Sequence, residues 1–268
     1  MNIKEVKLEA KNSLQGNWGT AIGGFIILGL ISFAMSMVTN MISGVGSIAG
    51  GLAGANSGNI SEADLIAMTS VMIGTMSVSF VLGIITQIIS SVLDVGYKWS
   101  FLDLVDGKNY SIGSIFQVFN KNFFKVLGLI IMIGIFTALW SLLLVVPGII
   151  KSYSYSQALN IMKDNPEIGI LDAITASRKL MDGKKANFFF LQLSFILWYI
   201  VPLIIWLVVF FIGISGWDNG TSPLVVTSII LAFVLALYFI AISFYITPYL
   251  KTSEQVYYRR LTVQQLGE

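Results

Sequence analysis

VLGLIIMIGIFTALWSLLLVVPGIIKSYSYSQALNIMKD, residues 126–164, is the stretch whose reading sets the topology. Its first part, 126–146, carries no charge and is long enough for one bilayer-spanning helix, which needs about 20 residues. Pro147 and Gly148 then interrupt it, as this pair does in most chains. The next segment, 149–164, is apolar only at intervals and holds Lys151, five alternating Ser and Tyr residues (152–156), Gln157 and Asn160. Whether this polar segment stays on the far side or turns back decides where everything after it lies.

The rest of the chain supplies the answer through its charges. None occurs between Lys11 and Glu62, Asp64 and Asp94, Lys125 and Lys151, Lys185 and Asp218, or Asp218 and Lys251. Five apolar runs therefore read as spans. The links at 94–125 and 166–185 and both chain ends are basic, whereas 43–67 and 213–223 contain no Lys or Arg. Positive residues stay cytoplasmic, and five passes cannot place all four basic regions on one side. A sixth pass does, if 149–164 returns as a short, tilted or re-entrant element, with Lys151 snorkelling near the outer interface. The predicted fold is all-α: a polytopic transmembrane helix bundle forming a single integral membrane domain over 1–268. Its segments run at about 19–42, 68–93, 126–146, 149–164, 187–212 and 224–247, joined by cytoplasmic amphipathic helices. Both termini are predicted cytoplasmic.

Composition narrows the chemistry. Of 268 residues 56% are hydrophobic and 11% charged, leaving no room for a separate soluble domain. There is no Cys and no His, so thiol chemistry, the commonest general base and the usual zinc sites are excluded. Lys4, Lys7 and Lys11 before an apolar run, with Ala53-Gly54-Ala55 further on, imitate a signal peptide. The run at 21–42 is too long for one, and an uncleaved first span is expected.

Local signals fill in the links. Residues 1–17 read as an amphipathic surface helix. Gly46, Gly50, Gly54 and Gly58 recur every fourth position; a flexible loop over 44–60 is favoured, with a glycine-zipper helix face as the alternative. Ser61 reads as an N-cap with Asp64 in the first turn. Tyr97, Lys98 and Trp99 read as an interfacial belt, as do Trp18 and Trp217. Asp106-Gly107-Lys108-Asn109 and Trp217-Asp218-Asn219-Gly220 read as turns. Ile112, Ile115, Phe116 and Phe119 share one helical face. Pro202 is expected to kink the fifth span, and Pro248 to open a C-terminal tail. The six segments group into three pairs, each preceded by an amphipathic stretch.

Several blocks together resemble a known family. They are Gly16-Asn17-Trp18, Phe101 to Leu104 with Gly107-Lys108, the long run from Leu139 to Ser156, and Asp164 to Glu167. Ala173-Ile174 with Ser177, Leu180-Met181 with Gly183-Lys184, and Pro248-Tyr249 complete the pattern. It is similar to integral membrane proteins of Gram-positive bacteria grouped as domain of unknown function nine-seven-five. The resemblance implies a bacterial cytoplasmic membrane protein and no established reaction, cofactor or substrate.

Three candidate sites emerge. The first is a polar seam, Ser152, Tyr153, Tyr155, Ser156, Gln157 and Asn160. It is read chiefly as interhelical glue, with a lipid or solute cavity as the alternative. The second is Pro147-Gly148, a turn first and a hinge second. The third is the basic set Arg178, Lys179, Lys184 and Lys185, which suits an anionic leaflet or a protein partner. Gln87 and Gln192 read as glue. No catalytic residue, metal or cofactor is expected. The predicted role is a non-enzymatic accessory, scaffold or envelope-homeostasis protein whose partners are membrane lipids and other membrane proteins, not nucleic acid. The alternative is a transporter or carrier using 149–164.

Overall fold

The computed structural model describes residues 1–55, 61–215 and 223–266, and those residues are helical with no strand among them. The expected turn at 217–220 and Gly58 lie outside the described residues.

Helix α1 (Ile3–Ser13) begins where the Asn2 side chain accepts from the Lys4 N–H at 3.0 Å, satisfying one of the orphan donors of a helix start. Helices α2 (Trp18–Ala55) and α3 (Glu62–Val105) form the first hairpin. The start of α3 is the expected cap, and more: Ser61 Oγ accepts from Asp64 N–H while Asp64 accepts from Ser61 N–H, a reciprocal capping box. A short 3-10 turn (Ile112–Phe116) and α4 (Gln117–Lys121) lead into the second hairpin, α5 (Phe123–Leu143) with α6 (Val145–Tyr155) and α7 (Ala158–Asp164). Helix α8 (Ile170–Leu180) precedes the third, α9 (Lys185–Ser215) with α10 (Pro223–Leu266).

Five helices are long and apolar enough to cross a membrane. The sixth, short segment is the return of the second hairpin. The chain reverses at Leu144, whose backbone is extended (φ −159°, ψ 140°), and comes back along α5. The Lys125 ammonium donates to the Pro166 carbonyl, so the return ends beside the start of α5. That start, α1, the ends of α3 and α7, α8 and the last turns of α10 lie together and form the near face of the molecule. The expected all-α bundle is therefore what the chain forms, with five helices able to cross a membrane and a short return in the second hairpin.

Burial is concentrated at the near face. Three clusters of buried apolar side chains are built from Val6, Ala10 and Leu14, from Val92 to Leu104, and from Tyr155 to Met162. Ala21, Ile115, Val118, Val126, Leu129, Ala173 to Met181, Phe188 to Phe195 and Ile246 to Leu261 supply the rest. Within the most apolar stretch of each spanning helix, between none and 17% is buried. The hairpins thus stand in a core that lies at one end, and they present Leu, Ile, Val and Phe outward along their length. In lipid that costs nothing, since acyl chains are as apolar as these side chains.

Several expectations are corrected. Helix α2 runs on to Ala55, so the loop reading of 44–60 fails that far; the helical backbone satisfies its own N–H and C=O groups despite the low helix propensity of its glycines. Tyr97 and Trp99 are 1% and 3% exposed and belong to the core, not to a belt. Pro248 opens no tail, because α10 continues through it to Leu266, and Thr252 to Tyr258 are buried. The reversal falls at Leu144, ahead of Pro147-Gly148. Pro147 sits in the first turn of α6, where a missing N–H is tolerated, and Gly148 lets α6 approach Ser141. Of Ile112, Ile115, Phe116 and Phe119, only Ile115 is buried, because a 3-10 turn replaces the first part of the expected α-helix.

One contact tests the near-face packing. A Cβ at Gly96 would stand 1.8 Å from the Ile115 carbonyl oxygen, where the 3-10 turn presses on α3. Gly96→Ala is expected to lower unfolding stability in detergent by about 1–3 kcal/mol, as overpacking does. Gly74→Ala, in open space, is expected to be neutral or stabilising in the same denaturation assay.

Candidate functional site

The last four turns of α10 carry the polar chemistry of the near face. Their spacing deals side chains to three neighbours in turn. Val256, Tyr257 and Leu261 enter the core beside α1 and α9. Arg260 faces α1, with Nε 2.8 Å from Glu9 and Nη1 3.0 Å from Glu5. Tyr258 and Arg259 face the ends of α3 and α7. Arg259 meets Asp106 through Nε and Nη2, both at 2.6 Å. It meets Asp164 through Nη1 and through Nη2, the latter at 2.9 Å. Tyr258 donates to Asp164 at 2.7 Å. Alongside, Lys163 pairs with Asp103 at 2.6 Å and donates to the Trp99 carbonyl, and Lys108 lies 3.5 Å from both Asp103 and Asp106. The ends of all three hairpins are bound by one ionic network.

A second polar set lies about two turns deeper. Lys251 of α10 donates to both oxygens of Asp94 on α3, at 3.1 and 3.2 Å. Gln192 of α9 donates to Glu254 at 2.5 Å. Lys98 donates to the Ser156 carbonyl at 3.3 Å and lies within electrostatic reach of Glu254, Lys251 and Asp94. Two cations and two carboxylates make this set neutral. At the near surface, Lys7 sits 4.1 Å over the Phe195 ring, and burial pushes its ammonium below the usual lysine range. Burial likewise raises the Tyr110 phenol, whose hydroxyl is buried and makes no hydrogen bond.

The polar seam lies beside this set, and its helix is broken. Helix α6 ends at Tyr155 and α7 starts at Ala158, so Ser152, Ser156 and Asn160 do not form one continuous face. Ser177 of α8 closes the break: its Oγ donates to the Ser154 carbonyl at 2.8 Å and accepts from the Gln157 N–H at 3.1 Å. Gln157 donates to Ser156 Oγ at 3.1 Å and accepts from Asn160 at 3.0 Å. Ser152 and Ser156 donate to the carbonyls of Ile149 and Tyr153. Tyr155 is buried beside Phe136, and Tyr153 meets Phe188 and Phe189 edge-on. These bonds run within the protein and give the backbone groups at the break their partners.

The basic set divides. Arg178 and Lys179 are exposed at the end of α8, and neither they nor Lys184 meet a carboxylate among the described residues. Lys185 stands 3.8 Å from Asp182. Helix α8 buries Ala173, Ile174, Ser177 and Leu180 but leaves Leu171 exposed. Gln192 bridges helices, while Gln87, among the described residues, bonds only Ser91 on its own helix. Lys151 stacks over Trp140, 4.5 Å from the ring centre, a pairing suited to an interface.

Sequence reading missed the deeper set and the clamp at Ser177. A signal existed: Asp94 and Lys98 are four apart, Lys251 and Glu254 three apart, each an opposite-charge pair on one helix face at the end of a charge-free run. Among the described residues no three acidic groups converge as metal ligands would.

The helices and their one-ended core define a polytopic helical membrane protein. A family model described as Protein of unknown function (DUF975) matches residues 1–151 and 141–265, and the chain belongs to that family. The two matches overlap across the α5–α6 reversal. No curated protein and no solved structure matches.

Ser177→Ala leaves the Ser154 carbonyl and the Gln157 N–H at the break without their partner. The expected loss is about 1–3 kcal/mol of unfolding stability, with the Ser177→Thr variant retaining most of it. Chemical denaturation in detergent, followed by tryptophan fluorescence, measures both.

Proposed function

We propose that the chain is a non-enzymatic scaffold or accessory protein of the bacterial cytoplasmic membrane, an envelope-homeostasis factor that acts by holding other membrane components. The observation that carries this reading is the scarcity of burial within the spanning helices, at most 17% of any apolar window. The three hairpins are fixed by the near-face core and leave their membrane faces free for lateral contact. The unpaired cations of α8 give the near face a surface for a partner or for anionic headgroups, each charge worth about 1 kcal/mol near an anionic leaflet. The near end is read as cytoplasmic, and both termini with it, because Lys4, Lys11, Arg178, Lys179 and Lys184 lie at that end and positive residues stay cytoplasmic.

Photoreactive amino acids at Lys179 on α8 and Leu142 at the hairpin tip, with buried Tyr155 as a control, test the reading in cells. Discrete protein adducts are expected from Lys179 and Leu142, and only intramolecular links from Tyr155. The Lys179 adduct is expected to weaken when Arg178, Lys184 and Lys185 are changed to Gln. Adducts with lipid or small solutes alone would replace the scaffold reading with a carrier.

A further inference from the structure

Helices α2, α3 and α10 enclose a cavity of about 240 Å³ on the membrane side of the deeper polar set. Its walls include Gly29 and Ser32 from α2, Ser90, Asp94 and Tyr97 from α3, and Thr247 from α10. Asp94 is the first charge after the charge-free run of α3, and Lys251 the first after that of α10. The cavity therefore lies where hydrocarbon gives way to the headgroup layer of the near leaflet.

Two features mark it as a place for a ligand. First, the Asp94 side chain remains 57% exposed although Lys251 holds both its oxygens, so one face of the carboxylate is open. Second, hydroxyls in this chain usually donate to the carbonyl four residues back, as Thr39, Ser70, Ser100 and Ser253 do. Among the described residues, Ser32, Ser90 and Thr247 make no such bond. Three free hydroxyls, an open carboxylate and an ammonium behind it converge on one small space. Lys98 and Glu254 balance the charge beneath.

We infer that this cavity binds a compact zwitterion, a primary ammonium paired with a phosphate. The ammonium is set against the open face of Asp94, and the phosphate takes hydrogen bonds from the hydroxyls on the side of Lys251. The volume is below the roughly 300–1,000 Å³ of sites that enclose a whole drug-sized ligand, and it suits a headgroup. Ser90 and Thr247 lie one turn further in than Asp94 and Lys251, and the charge-free runs of α2, α3 and α10 continue from there toward the membrane interior, where acyl chains would lie. The inference does not depend on the scaffold reading.

The test uses the full-length protein in nanodiscs of equal phosphatidylethanolamine and phosphatidylglycerol, followed by native mass spectrometry of the lipid it retains. A Cβ at Gly29 meets nothing within 4 Å, so Gly29→Leu fills the cavity and leaves the Asp94–Lys251 pair in place. Ser32→Leu is a second filling variant, and Gly74→Leu, also in open space, is the control outside the cavity. Selective retention of the ethanolamine lipid is expected, falling about tenfold in Gly29→Leu, Ser32→Leu and Asp94→Asn, as loss of one charge-assisted contact implies. If no lipid is retained but soluble phosphoethanolamine binds and Gly29→Leu abolishes it, the site stands and its ligand is a free solute. Retention in proportion to nanodisc composition with no phosphoethanolamine binding would overturn the inference, as would retention or binding unchanged by both filling variants.

Discussion

Arg259 is held by two carboxylates from two other hairpins, and the placement of the long helices depends on it. Its guanidinium reaches Asp106 at the end of α3 and Asp164 at the end of α7, while its own helix is the second arm of the third hairpin. One side chain thus ties together the near-face ends of all three. Only arginine offers enough donors in a fixed plane to serve two carboxylates at once; lysine offers a single ammonium on a flexible stem. Tyr258 strengthens the Asp164 side, and Lys163 and Lys108 bridge to Asp103, so the clamp is a network of charges, which resists loss better than an isolated pair.

A clamp at one end explains the distribution of burial. Water drives apolar side chains together only where water is present, and the core lies at the near face, where Val6, Tyr257 and Phe188 would otherwise meet it. Further into the membrane the surrounding lipid removes that drive, and little of each apolar stretch is buried. The broken return of the second hairpin fits the same rule. Its irregular backbone at Ser156 and Gln157 sits inside the protein, against Ser177 and Lys98, where its polar groups find partners.

Much of this was legible in the sequence. Charge-free runs marked five spans, and the count of basic links called for a return after 126–146, which the chain makes at Leu144. Ser61 and Asp64 announced their cap. The features that stayed hidden depend on partners distant in the chain. Tyr97 and Trp99 look like interface aromatics until α2 and α7 cover them, and Pro248 looks like a terminus because its helix is held by contacts with residues as remote as Lys7, whose carbonyl accepts from the Tyr249 hydroxyl. The seam was seen as polar, but nothing local predicts that Ser177 would interrupt its helix. The Asp94–Lys251 pair joins residues 157 positions apart, beyond any local pattern.

The most direct test of the one-ended clamp is hydrogen exchange of Arg259→Lys against the parent protein in nanodiscs. Such a clamp predicts faster exchange together at three separate places, Leu102–Asp106, Asn160–Asp164 and Gln255–Leu261, with the membrane-level turns of α2, α5 and α9 unchanged. Faster exchange confined to the last turns of α10 would contradict it, because Arg259 would then fasten only its own helix.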